Sequence, residues 1–438
     1  MTTSEQKSGR VFYGWWIVVA SGIGLAVHFG PIIVPTFGVF LKPLSQEFGW
    51  NRTQISLAFS LATLGITVAV PSIGRLVDRF GARRVILPAV LLFGLSVLSL
   101  SFLSAHLWHF YAIYLLIGVI GSGTTPVPYA KVISRWFDRQ RGLALGLAVA
   151  VSTLGGTFMP SLAQALIAMV GWRHAYMLLG LMAMGVALPV VGLLLKETPQ
   201  MMGLEPDGET AEQAEVSKQR GPEGGLSFQE ARHTRTFWLM ASAFFLISAS
   251  FHGYIIHLVP LLTDRGFSAQ SAALTVSLAG GAALVGRVGI GYLLDRFFAP
   301  SVAMCFFCGF ALGIFLLWSG PVGGLTVVAV VLVGLGLGAE LDVMPYVVSR
   351  YFGLRAFGEI YSYTFAIFGL GAVVGPPLMG AGFDATGSYS LVLATFVVAA
   401  LTAAGLMTRL GPYRVWEAVA EATTAATTSE DGSITISL

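Results

Sequence analysis

The strongest constraint in this chain is a succession of apolar runs, each long enough to cross a lipid bilayer, separated by short polar connections. A bilayer core about 30 Å thick needs about 20 mostly apolar residues of helix. Reading on that scale predicts spans over 13–40, 54–77, 85–104, 108–133, 142–168 and 174–195, then 237–262, 271–294, 301–319, 323–349, 356–381 and 388–409. The runs are solidly apolar rather than alternating, so helices and not barrel strands are expected, every backbone group being satisfied within its own segment. Composition agrees: 55% of the residues are hydrophobic and 11% charged, where an ordinary soluble domain has about 25% charged. The expected fold is an all-α membrane protein of twelve transmembrane helices, in two six-helix bundles.

Of the 25 Lys and Arg residues, all but Lys42, Arg52, Arg173, Arg265 and Arg287 fall on one side of this arrangement. Positive loops mark the cytoplasmic side, so both termini and the central connection are expected there, in the inner membrane of a cell. The first apolar run has no small-residue cleavage site near it and reads as a retained helix rather than a signal peptide. The domain division that follows is an N-terminal bundle over 1–195, a cytoplasmic linker over 196–236, a C-terminal bundle over 237–410 and a disordered tail over 411–438. Within the linker, Leu226 to Arg235 reads as a short surface helix leading into the seventh span.

Several function classes are excluded. The basic residues lie in short loops, so the net charge of +3 does not indicate nucleic acid. Cys305 and Cys308 are the only cysteines, which leaves no disulfide framework or thiolate metal site. Neither H-E-x-x-H nor G-x-S-x-G occurs, so no enzyme, metal or cofactor is expected. A channel would use repeated charged rings or carbonyl filters, whereas the deep charges here are few and unrepeated. A sensor derived from a transporter would carry a signalling domain.

The two halves repeat. Gly74-Arg75-Leu76-Val77-Asp78-Arg79-Phe80 aligns with Gly291-Tyr292-Leu293-Leu294-Asp295-Arg296-Phe297 at an offset of 217, and Pro128-Tyr129 with Pro345-Tyr346 at the same offset. Ser134-Arg135-Trp136-Phe137 aligns with Ser349-Arg350-Tyr351-Phe352 at 215, and Pro160 with Pro376 at 216. Six spans per half make the repeats parallel, and transporters so built bind solute near the midplane between their halves.

The segment Gly74 to Arg84 (GRLVDRFGARR) resembles the loop signature of the major facilitator superfamily, and the resemblance covers nearly the whole chain; the second copy departs from it with Phe298 where the first has Gly81. Asp78 stands at a helix end, where pairing with Arg or Lys holds one conformation shut. The gating set is Asp78, Arg79, Arg83, Asp295, Arg135 and Arg350. More narrowly, Tyr13-Gly14-Trp15-Trp16, Phe37-Gly38-Val39-Phe40, Glu47-Phe48-Gly49-Trp50 and Ser349-Arg350-Tyr351-Phe352-Gly353 are similar to the monocarboxylate transporter family, especially its bacterial members and the related oxalate–formate exchangers. That resemblance implies carriage of small carboxylates, often with a proton, and needs no protein partner beyond the lipid bilayer.

Three full charges lie deep in the apolar runs: Arg287, Glu340 and Asp342. Charge at that depth costs several kcal/mol and is functional by default. At 1.5 Å per residue, Arg287 stands roughly 12 Å inside Asp295, and the two acids about 12–15 Å inside Arg350. A guanidinium offers a planar fork matched to a carboxylate, so substrate carboxylate competes with an internal acid for Arg287 and the displaced acid takes a proton. The resemblance supports Arg287 as the anchor. Animal members carry an Asp four residues before this Arg, where this chain has Ala283, and a Lys in the first span, where this chain has none. Asp342 and Glu340 are therefore the expected proton carriers, a structural ion-pair network being the other reading. Tyr129, Tyr346, His257 and Phe365 complete the expected substrate site, two hydroxyls, a titratable ring and an apolar wall. Gly142, Gly146, Gly155 and Gly156 are expected to permit close helix packing. Proton symport of a monocarboxylate and exchange of small carboxylates both remain open.

Overall fold

The computed structural model describes residues 12–137, 140–206, 225–294, 296–320, 324–353 and 355–413, apart from the side chains at 141, 288 and 338–342. Among these, ten helices are long and apolar enough to cross a membrane. One of them, Arg141–Leu194, is two spans joined at Gly171, whose φ of 79° and ψ of 163° are not helical. Counting both, and adding Gly324–Phe352, gives the expected twelve. Spans 1 to 6 are Gly14–Phe48 (in three pieces), Arg52–Phe80, Ala82–Ser99 with its short extension to Phe102, Leu107–Trp136 (also in pieces), 141–170 and 172–194. Spans 7 to 12 are Arg235–Asp264, Ala269–Leu294, Ala299–Trp318, Gly324–Phe352, Phe357–Thr386 and Ser390–Thr408. The outward surface is itself apolar, with Phe102, Phe158, Met169 and Leu193 all largely exposed, as lipid contact requires.

The halves differ in how their helices run. Span 1 breaks between Gly14–Ala26 and Phe29–Ile33, and again before Phe37–Phe48. Span 4 breaks into Leu107–Gly121, a 3-10 turn at Ser122–Thr124, and Pro126–Trp136. The prolines explain the positions. Pro31 has no N–H to give the carbonyl four residues back, which is Val27, where the first helix stops. Pro126 and Pro128 leave the carbonyls of Ser122 and Thr124 without their helical partners, and there the helix tightens. The repeat mates in span 10 are Val343 and Pro345; one missing bond instead of two leaves Gly324–Phe352 continuous.

The ends of the bundle are distinguished by what lies there. At the termini end are the turn at 80–82, the helix ends at Trp136 and Arg141 and the described ends of the central connection; at the far end are the turns near 49–51, 265–268 and 387–389. Both ends of the central connection fold onto the bundle. Trp136 Nε1 donates to the carbonyl of Lys196 at 2.9 Å, anchoring the exit of span 6. On the other side, Leu226 N donates to the carbonyl of Phe352 at 2.8 Å, and Phe228 stacks on Tyr363 with centroids 3.9 Å apart. The expected surface helix is present as Phe228–Arg232, started by a capping box between Ser227 and Glu230. The tail beyond 413 lies outside the described residues.

Candidate functional site

Span 8 is wedged between span 10 of its own half and span 5 of the other. Glycine makes both approaches possible: a Cβ at Gly286 would lie 2.4 Å from the carbonyl oxygen of Leu335, and one at Gly280 would lie 2.9 Å from Thr157 Oγ1. Towards the far end, Ser277 and Ser161 hydroxyls meet at 2.7 Å across the same seam. Arg287 lies on this seam, partly buried, and its Nη1 donates to Thr153 Oγ1 of span 5 at 3.2 Å. The deep guanidinium therefore sits between the two halves, not against lipid.

Depth along the spans sorts the other expected site residues. At 1.5 Å per residue, Arg287, Phe365, Tyr346 and Tyr129 all lie about 9–12 Å from the termini end of their helices. Phe365 is substantially exposed, ringed by Tyr361 and Phe368 at 6.0 and 5.7 Å between centroids. Tyr346 accepts from Arg350 Nη2 at 3.3 Å, one turn away. Its repeat mate Tyr129 is instead wholly buried inside the N-terminal half, its hydroxyl pressed against Gly24 and without a hydrogen-bond partner among the described residues. The two tyrosines, equivalent in sequence, are thus in unlike environments. Glu340 and Asp342 lie on helical backbone of span 10, and their side chains fall outside the described residues. His257 is not with this group: it stands about 10 Å from the far end of span 7, roughly 15 Å nearer that end than Arg287.

At the termini end, Asp78, Arg83 and Arg135 of the expected gating set form contacts within the N-terminal half. Lys131 Nζ reaches Asp78 Oδ1 at 2.5 Å and the carbonyl of Val77 at 3.1 Å. Glu197, which sequence reasoning passed over, is the hub: its carboxylate accepts from the backbone N–H of Arg83 at 2.6 Å and from Arg135 at 3.5 Å. The Arg83 guanidinium donates to the carbonyl of Gly192. Gly81 is required here twice over, by its φ of 90° and because a Cβ would lie 2.8 Å from Glu197 Oε1. Arg79 lies 5.1 Å from the ring of Phe80, Arg350 5.3 Å from that of Tyr346, and Asp295 is outside the described residues.

The far end is closed by contacts that cross between halves. Asp264 of span 7 pairs with Lys42 and Arg52 of the N-terminal half, both at 2.7 Å. Arg52 also lies 3.6 Å from the Phe383 ring centroid and donates to the Tyr389 hydroxyl. Asp384, at the end of span 11, accepts from the backbone N–H groups of Arg52 and Thr53 at 3.2 and 2.8 Å and from the Thr53 hydroxyl at 2.5 Å. It thereby caps a helix belonging to the opposite half, where the free N–H groups and the positive end of the dipole favour an anion. Below this, Ser60 donates to the carbonyl of Val373 at 2.6 Å. The opposite charges that make this closure, Lys42 and Arg52 in one half and Asp264 and Asp384 in the other, are masked in the sequence by Glu47 and Arg265 at the same end.

Residues 15–308 match the family model of the Major Facilitator Superfamily. The chain belongs to that superfamily. It is a multi-pass membrane transporter and not an enzyme. Among its relatives are monocarboxylate transporter 11 of Homo sapiens, 26% identical over 398 residues that cover 88% of this chain and 81% of that one. Another is monocarboxylate transporter 13 of Bos taurus, 29% identical over 401 residues, covering 88% and 86%. The fold is also that of a bacterial homolog to the human lysosomal transporter Spinster, solved in an inward-facing and occupied conformation. That structure superposes with a TM-score of 0.64 at 16% identity, over 96% of this chain and 98% of that one.

Proposed function

We propose that this transporter carries a small monocarboxylate of the lactate or pyruvate kind, coupled to a proton, by alternating access. The observation that supports this most is the position of Arg287, a guanidinium on the seam between the halves that touches Thr153 of the opposite one. A carboxylate arriving there gains two parallel charge-assisted bonds, and its hold on both sides of the seam changes as the halves rock. Two relatives named as monocarboxylate transporters point the same way. Phe365 and Tyr346, at the depth of Arg287, supply the apolar wall and a hydroxyl, and Tyr129 lies at the same depth inside the opposite half. Asp342 and Glu340 carry the proton in this reading, and the termini end faces the cytoplasm because the Lys and Arg residues gather there.

The test is uptake of labelled lactate, pyruvate, oxalate and formate into proteoliposomes with and without an imposed pH gradient. Gradient-driven lactate or pyruvate uptake is expected; uptake of oxalate or formate only against preloaded carboxylate marks an exchanger instead. Arg287→Ala should abolish uptake while the protein remains monodisperse, and Arg287→Lys should restore only part, a point charge lacking the fork. Full uptake by Arg287→Ala removes the anchor from the proposal.

A further inference from the structure

His257 lies at the centre of the far-end closure, and the direction of every hydrogen bond around it can be assigned. It is wholly buried. Nε2 faces Ser56 Oγ of span 2 at 2.9 Å and the carbonyl of Pro376 in span 11 at 3.1 Å. The Ser56 proton is already given to the carbonyl of Arg52, 2.7 Å away, and a carbonyl only accepts, so Nε2 carries the hydrogen. Nδ1 faces the Tyr389 hydroxyl at 3.1 Å. That hydroxyl accepts from the Arg52 guanidinium, which donates only, and so gives its own proton to Nδ1. The relay runs one way: Arg52 to Tyr389 to His257 to span 2 and span 11. It is complete only when the imidazole is neutral.

A proton added at Nδ1 sets two donors face to face. The Tyr389 oxygen would then have to accept from Arg52 and His257 together, its hydrogen losing its acceptor, and a second cation would stand one side chain from the Arg52 guanidinium in a buried site. The groups that face this point are Tyr389 in direct contact, Arg52 beyond it, Asp264 and Asp384 on Arg52 or its backbone, and Lys42 on Asp264. None of these acids touches the ring to neutralise it. Separating the halves at this end relieves the conflict, because water then reaches the ring and Arg52 leaves it.

We infer that His257 is a proton-operated latch: protonation from the far side of the membrane opens the far-end closure, and loss of the proton lets it close. This deepens the proton-coupled reading by giving the proton a second place of action, and it depends on that reading only in requiring the halves to part at this end during transport. A proton can shift the two states only by as much as it binds one better than the other, and the hydrogen-bond relay supplies that difference.

The experiment needs no carboxylate, so its failure and that of the substrate assignment are distinguishable. In a Cys305→Ala, Cys308→Ala background, spin labels are placed at Gln46→Cys and Gln270→Cys, exposed positions at the far end of opposite halves. Inter-label distances are measured in liposomes between about pH 8 and about pH 5, where histidine titrates. The ratio of long to short distances should rise by about fivefold or more on acidification, the lower bound of ordinary couplings between sites. His257→Gln should lose that response. Tyr389→Phe, which removes the donor to Nδ1 and keeps the ring, should open at higher pH than the parent. A parent chain indifferent to pH overturns the inference; so does a full response surviving in His257→Gln, which would assign it to Asp264 or Asp384, or an unshifted response in Tyr389→Phe.

Discussion

Among the described residues, ion pairs cross between the halves at the far end of the bundle and not at the termini end. At the termini end, the described ion pairs Asp78–Lys131 and Glu197–Arg135 each join elements of the N-terminal half. At the far end, Asp264 and Asp384 reach across to Lys42, Arg52 and the start of span 2. Packing follows the charges. A Cβ at Gly38 would lie 2.4 Å from the carbonyl oxygen of Ile256 in the other half, whereas Cβ atoms at Gly142 and Gly146 would meet nothing within 4 Å. Those two glycines, expected to allow close packing, do not do so in this state; Gly155, 2.3 Å by the same measure from the carbonyl of Ala26, does. Pairs within a half make a rigid body, and pairs between halves make a joint. The far end is the joint that is made in this state.

The largest way to break the contrast is Gly38→Val. The clash is with backbone, which does not yield, and overpacking of this kind costs about 1–3 kcal/mol; the far-end spin-label pair should move mainly to long distances. Gly146→Ala is the matched control and should leave them unchanged. Next comes Asp384→Ala, which removes a helix cap contributed across the joint. A lost cap costs about 1 kcal/mol, enough to raise the long-distance fraction by about fivefold at neutral pH, whatever the residue at 257. Glu197→Gln should lower thermal stability by about 1 kcal/mol through weakened bonds to Arg83 and Arg135, with no change in the far-end distances, because that carboxylate serves one half only. A far-end response there would mean the two ends are not separable. The smallest effect concerns the linker helix. The backbone N–H and hydroxyl of Ser227 hold the Glu230 carboxyl below its usual range. A depressed value stabilises the folded cap above the unfolded pKa of about 4.3, and that contribution is lost as pH falls through the folded value. Protection from hydrogen exchange at 228–232, taken relative to the intrinsic rate at each pH, should therefore fall on acidification to about pH 3, and Glu230→Gln should flatten that pH dependence.

How much of this was legible follows from which forces leave a trace in a single sequence. Burial in lipid leaves the plainest one, so the spans, the division into halves and the deep Arg287 could all be read directly. Pairings between distant loops leave almost none: nothing near Glu197 says that Arg83 and Arg135 converge on it, and His257 looked like any intramembrane histidine until Tyr389 and Ser56 were seen beside it. The breaks in spans 1 and 4 lie between these cases. Pro31, Pro126 and Pro128 mark them, yet Pro71 and Pro160 lie inside unbroken helices, and only the doubling at 126 and 128 separates span 4 from span 10. Equivalent sequence also misled: Tyr129 and Tyr346 are repeat mates, and one is sealed inside its half while the other leans on Arg350.

The docking of both ends of the central connection has a practical corollary. Because Lys196 and Glu197 are tied to the first bundle and Leu226 and Phe228 to the second, each bundle holds its own end of the stretch that joins them. A gene divided within that stretch would yield two polypeptides, each keeping its own moorings. Their co-insertion would let one be labelled, truncated or replaced without touching the other.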